Sequence, residues 1–156
     1  MNIKKCFAVI LCFAAAVSIN AQDKLTLKIY DAYSVINMQQ YDKFGEYITE
    51  DFIEHSPFPG QQPGLNGLKD AFRMFFKAFP DLRIEVKDVI VSGDMKKAAV
   101  MIRLTGTNKG EWMGMPPSGK TIDITGLDWL LFKDEKASEH WGYWDSEAMM
   151  TQLGMK

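Results

Sequence analysis

Two histidines, His55 and His140, are the only side chains here whose ordinary titration falls near neutrality. His140 lies in EHWGYWD, residues 139–145, with two tryptophans, a tyrosine and two carboxylates, in a stretch that reads as a strand. A ring there can move protons, or it can hydrogen-bond a neighbouring strand as plain structure. Asp128 stands among Ile122, Ile124, Leu127, Trp129, Leu130, Leu131 and Phe132. A carboxylate in so apolar a strand is costly unless it is paired or faces a wet cavity. Asp128 and His140 are therefore the candidate acid/base pair. The competing place for Asp128 is an edge or bulge facing solvent. Asp145, which opens Asp-Ser-Glu-Ala, fits an N-cap better than a catalytic acid.

Whether Asp128 and His140 meet depends on one hairpin. A two-residue turn at Asp134-Glu135 pairs Trp129 with His140 and puts Asp128 on the other face. One extra residue reverses that. Asp-Glu lacks the glycine favoured in tight two-residue turns, so a longer turn is open as well. Strand alternation puts His140, Gly142 and Trp144 on one face, with Trp141 and Tyr143 on the other. These aromatics can line a cavity or the back of a sheet. Trp112, Met113 and Met115, which flank a Pro-Pro-Ser-Gly loop, can form an apolar lid. No spacing brings His55, His140 and Asp128 together, so no metal site is expected. There is no phosphate loop, dinucleotide turn or nucleophile elbow.

The elements that must position these groups come as helices first, then strands. Leu25, Ile29, Ala32, Tyr33 and Ile36 form one apolar stripe on a helix over residues 23–38. A short helix over 41–47 and a short strand over 51–55 follow. Residues 56–67, with three prolines and three glycines, read as loop. Leu68, Phe72, Phe75, Phe76 and Phe79 mark an amphipathic helix stopped by Pro80. Strands over 82–87, 98–105, 121–133 and 137–144 are joined by turns or loops, and a helix over 145–153 ends at Gly154. This order indicates α+β with an antiparallel meander.

The start of the chain reads as a secretory signal peptide: Lys4 and Lys5, then a 14-residue apolar stretch from Cys6 to Ile19, with cleavage expected after Ala21. The run is short for a membrane span. Residues 22–156 would form one exported domain, periplasmic or secreted, with no membrane segment in its mature form. Both cysteines fall in the removed segment, so neither disulfides nor a thiolate nucleophile are expected. The mature net charge is about −4, without a basic patch, and nucleic acid is not an expected partner.

Four segments in order, AFPDLRIEV (78–86), GTNKGEWMGMPPSGK (106–120), EHWGYWD (139–145) and QLG (152–154), resemble the SnoaL-like ester cyclase and polyketide cyclase family over residues 30–154. The resemblance implies the fold named after nuclear transport factor 2. In that fold a curved antiparallel sheet wraps the helices into a cone-shaped α+β barrel around a cavity. In antibiotic cyclases it implies an intramolecular aldol closure without metal or cofactor. A carboxylic acid moves the proton and a histidine assists. Carried over, the family's catalytic aspartate falls on Gly142 and its assisting histidine on Asp128. Asn108 stands where many relatives carry histidine, and His55 falls at the pocket rim. The expected catalytic pair is Asp128 and His140, with His55, Asn108, Trp112, Met113 and Trp144 binding substrate. The expected function is an exported, cofactor-independent cyclase or isomerase acting on a small carbonyl compound. The alternative is a binding protein for a small apolar ligand, because Gly142 cannot transfer a proton. The resemblance also implies a homodimer formed through the open sheet face.

Overall fold

A computed structural model describes residues 20–154. The expected signal segment lies outside the described residues, apart from Asn20 and Ala21. Helix α1 (Ala21–Asn37) starts with a capping box. The Asn20 side chain accepts from the Asp23 amide at 2.8 Å, and Asp23 faces back toward the Asn20 N–H. Cleavage after Ala21 would remove that cap, a loss of about 1 kcal/mol for an N-cap asparagine. A 3-10 turn (Tyr41–Lys43) and α2 (Phe44–Tyr47) lead into β1 (Ile48–Glu54).

Helix α3 (Gly64–Ala78) begins three residues before the end of the expected loop. The glycine at 67 is what lets it. A Cβ there would lie 1.6 Å from the Gln62 carbonyl oxygen, so the helix and the loop entering it can approach only at a residue without a side chain. Leu68, Phe75 and Phe76 then face the core.

The sheet comprises β1, β2 (Arg83–Val91), β3 (Lys97–Thr107), β4 (Thr121–Lys133) and β5 (Lys136–Trp144), in the order β1-β5-β4-β3-β2. Strands β2 to β5 form the expected antiparallel meander, but β1 joins β5 in parallel. The sheet is therefore mixed. It curls without closing, with β1 and β2 as free edges. Its inner face carries Ala98, Val100, Ile102 and Leu104 of β3 and Ile122, Ile124 and Leu130 of β4, all buried against the helices. Helix α4 (Ser146–Leu153) has Asp145 as its N-cap, accepting from the Ala148 amide at 2.8 Å, and stops at Gly154 with φ 72°. Among the described residues no helix is long and apolar enough to cross a membrane.

Side-chain clamps hold the elements in register. Asp81 accepts from both the amide and the hydroxyl of Thr107, each at 2.7 Å. Asn37 brackets the backbone of Ile84 with two bonds of 2.8 Å. Gln152 does the same at Asp123, at 2.7 and 3.0 Å.

Two glycine substitutions separate close approach from simple flexibility. Gly67→Ala should cost about 2 kcal/mol by forcing the loop backbone away. Gly93→Ala, which has nothing within 4 Å, should change stability by less than about 0.5 kcal/mol. Urea denaturation of the two variants checks both.

Candidate active site

The site is built on the β4–β5 hairpin. Its turn is the two-residue Asp134-Glu135, with both residues at positive φ, 50° and 59°. That is the backbone pattern of a type I′ turn, adopted here without glycine. A two-residue turn alone would separate Asp128 from His140. However, Leu131 pairs with Glu139 while Phe132 pairs with Ala137, so Ser138 is an extra residue in β5. This bulge shifts the register by one. Leu130 pairs with His140 and Asp128 with Gly142, and both functional side chains face the interior.

His140 is held from both sides. Its Nε2 is 3.1 Å from Asp128 Oδ1, and its Nδ1 is 2.6 Å from Glu54 Oε2. Glu54 is opposite His140 across the parallel β1–β5 pair, and its other oxygen accepts from the Ser56 amide at 2.9 Å. The Tyr33 hydroxyl, from α1, donates to Asp128 Oδ2. Burial acts most strongly on His140 and opposes its charge. The hydrogen bonds and negative charges of Asp128 and Glu54 outweigh it, and the pKa rises to about 9. Burial first, then the Asp128 charge and hydrogen bond, push the Tyr33 phenol well above its ordinary value. The site therefore holds an imidazolium between two carboxylates, Asp128 and Glu54, with a neutral phenol on Asp128.

These groups form the polar end of a recess of about 100 Å³. Ile29, Ala32, Ile36, Phe52, Phe72 and Phe132 supply apolar walls, and Lys28 and Glu135 stand at its edge. A second, smaller lobe of about 50 Å³ shares His140, Leu68 and Phe72 with the first, and adds Glu54, Ser56, Phe58 and Trp144.

Of the residues expected to bind substrate, only Trp144 lines this space. Asn108 is fully buried, but its side chain is consumed by the loop. It donates to the Gly110 carbonyl at 2.8 Å and accepts from the Ser118 amide at 2.7 Å. Trp112 is not a lid. It is 2% exposed and stacks on Phe75 at 4.6 Å, inside a cluster with Phe58 and Phe79. Met113 is exposed at the tip of its loop and lines neither lobe. His55 lies on the outer face, stacked on Trp141 at 3.8 Å and bonded to Glu139 at 2.8 Å. The two histidines thus stand on opposite sides of the sheet. Among the described residues no group of three or more His, Cys, Asp or Glu could hold a metal ion.

Sequence reasoning missed Tyr33 and Glu54. Tyr33 was visible only as part of an apolar stripe, although a tyrosine on a core-facing stripe needs a partner for its hydroxyl. Glu54 alternates with Phe52 and so shares its inner face, but nothing local says that β1 lies beside β5.

The sequence pattern of the SnoaL-like polyketide cyclases matches residues 26–153. No curated protein matches the chain significantly. Among solved structures, TsrD from Streptomyces laurentii superposes with a TM-score of 0.77 at 21% identity, over 89% of this chain and 100% of its own. A candidate polyketide cyclase from Bacillus cereus gives 0.72 at 28% identity, over 85% and 82% of the two chains. IdmH from Streptomyces antibioticus, a candidate polyketide cyclase, gives 0.72 at 27%, over 84% and 99%.

The charge cluster predicts a pH signature. The folded pKa of His140 is above its unfolded value of 6.5. Its stabilising contribution is therefore full below 6.5 and is lost as pH rises through about 9. Nitrogen-15 NMR should find His140 still protonated at pH 8, and Glu54→Gln should lower its titration midpoint. A neutral ring at pH 8 in the unsubstituted protein contradicts this assignment.

Proposed function

This chain belongs to the SnoaL-like polyketide cyclase family, and we propose that it is an exported, cofactor-independent acid/base catalyst, a cyclase or isomerase, acting on a small carbonyl compound. The observation that carries the reading is the Tyr33–Asp128–His140–Glu54 cluster at the end of an otherwise apolar recess. Enolisation needs a base for the α-proton and a donor for the oxygen that gains charge. Asp128 is the base, since its carboxylate borders the recess. The His140 imidazolium, whose two N–H groups are held by Asp128 and Glu54, supplies the positive charge that offsets the charge gained by that oxygen. Tyr33 orients Asp128 by bonding the oxygen that His140 leaves free. The apolar walls raise the energetic weight of each charge by excluding water. Export rests on the Lys4-Lys5 and Cys6–Ile19 pattern, and a mature protein beginning at Gln22, found by mass spectrometry of the envelope or medium, is its test.

A second reading is a carrier that binds the compound unchanged. It is favoured by one observation: both ring nitrogens of His140 already have partners, as in a purely structural charge cluster. Deuterium uptake at the α-carbons of cyclohexanone in D2O separates the two readings. Catalysis predicts protein-dependent exchange that falls by about 10²–10⁴-fold in Asp128→Asn, with circular dichroism unchanged. Exchange that survives in the folded variant sinks the catalytic reading.

A second copy of the chain is the proposed partner for the outer sheet face, where Met101, Leu127, Trp129 and Tyr143 are all more than one-third exposed. Apolar side chains grouped on one exposed sheet face are a common mark of a protein–protein contact. Sedimentation should show a dimer that Leu127→Lys combined with Trp129→Lys converts to monomer.

A further inference from the structure

His55 and Glu139 form, on the outer face of the sheet, a counterpart to the pair that holds the site on the inner face. Glu54 ends β1, His55 follows it, and both lie beside Glu139 and His140 of β5. Glu54 reaches inward to His140 Nδ1 at 2.6 Å. His55 reaches outward, its Nε2 2.8 Å from Glu139 Oε2. Acid and imidazole have thus exchanged strands between the two faces. The His55 ring also lies flat on Trp141, with centroids 3.8 Å apart and planes 2° from parallel.

This junction must be held on its own. The β1–β5 register is broken just before it: five positions from Ile48 to Ile53 run against two from Ala137 to Glu139. Regular pairing from the start of β1 therefore does not carry through to Glu54. On its other side the strand has no neighbour, and a groove of about 460 Å³ runs along residues 51–54. Glu54 is kept in place from residues next to it. The His55 N–H donates to the His140 carbonyl at 2.8 Å, and the Gly142 N–H to the Ser56 hydroxyl at 3.3 Å. The outer pair completes the set. His55 and Glu139 are half-buried, and such an ion pair adds little to stability by itself. Its effect is on position, because a charge-assisted contact of 2.6 Å weakens steeply as the strands shift.

We propose that His55, paired with Glu139 on the outer face, is a positioning residue for the inner cluster: it fixes the end of β1 so that Glu54 meets His140. His55 lines neither lobe of the recess and acts only through Glu54. The positioning stands on the geometry of the two pairs, and its effect on turnover rests on the catalytic reading above. If Glu54 moves off Nδ1, the ring keeps one carboxylate instead of two and holds its proton less firmly. Where the ring then loses that proton, the positive charge offered to the developing enolate oxygen goes with it.

Titration of His140 followed by nitrogen-15 NMR is the test. His55→Phe keeps a ring on Trp141 and removes the bond to Glu139. It should lower the His140 midpoint by about one pH unit, a tenfold loss of proton affinity. Loss of a nearby ring cation would by itself raise that midpoint, so the sign separates position from charge. Glu139→Ala should lower it likewise. Glu139→Gln, whose amide oxygen can still accept from the His55 ring, should keep it. Circular dichroism should be unchanged in all three. A midpoint unmoved or raised in either His55→Phe or Glu139→Ala, once folded, overturns the assignment. So does a midpoint that falls as far in Glu139→Gln as in Glu139→Ala. Deuterium exchange into cyclohexanone should fall about fivefold in His55→Phe at pH 9, near the unsubstituted midpoint, and stay unchanged at pH 6, where both proteins carry the imidazolium. A lowered midpoint in a protein that catalyses no exchange removes the catalytic reading and leaves the positioning standing. Asp128-dependent exchange with an unmoved midpoint does the reverse.

Discussion

One extra residue in β5 decides what this protein can do. Without the bulge at Ser138, the tight Asp134-Glu135 turn would put His140 on the outer face, beside the histidine already there. With it, His140 turns inward, and Asp128 and Glu54 reach it from the strands on either side. The same shift turns Trp141 and Tyr143 outward and Trp144 inward, so a single insertion sorts the aromatic residues of EHWGYWD between core and surface. A bulge beside a functional group is a common way of re-aiming a side chain. Here it also couples the two faces: a slip that lost the buried cluster would bury the outer aromatics in its place.

The cluster it assembles is costly to bury and is held by being fully partnered. Each His140 nitrogen has a carboxylate, Asp128 takes a second donor from Tyr33, and Glu54 takes one from the Ser56 amide. Removing one partner from such a group typically costs about 3–5 kcal/mol, because the remaining charge is left uncompensated. Each partner comes from a different element: α1, β1, β4 and β5. The cluster therefore reports on the packing of the whole cone, and a proton moved by a ligand is felt by four elements at once.

Much of this architecture was legible in the chain. Periods of 3.6 and 2 separated the helices from the meander, and the N-cap at Asp145 and the stop at Gly154 followed from residue type and position. The segments that carried the family resemblance turn out to be largely scaffold. Asp81 of AFPDLRIEV clamps Thr107, Asn108 of GTNKGEWMGMPPSGK ties its own loop together, and Gln152 of QLG docks α4 on β4. That is why the resemblance located the fold well, while Asn108, Trp112 and Met113 of the same segment lie away from the recess. What could not be read was long-range: the parallel pairing of β1, which supplies Glu54, and the bulge, whose signal is one polar residue among others. Pairing between residues 86 positions apart, such as Glu54 and His140, is set by tertiary packing, which local pattern does not encode.

Gly142 is best understood together with Trp144. In relatives, by the resemblance, an aspartate stands at this place. Here a side chain at 142 would collide with the indole, and the residue facing Trp144 across the hairpin is glycine too. Gly142 and the tryptophan are one packing unit, the indole nitrogen lying where a side chain at 142 would be, while a Cβ at Gly126 would meet the Tyr143 carbonyl oxygen and Ile102. Restoring an acid at 142 alone would drive it into Trp144 and against His140, which already has two carboxylates. In the proposed reading the carboxylate comes from Asp128 on the neighbouring strand instead, and the Trp144 indole packs against Gly142 where a side chain would stand. That arrangement leaves the imidazolium facing two carboxylates and not three.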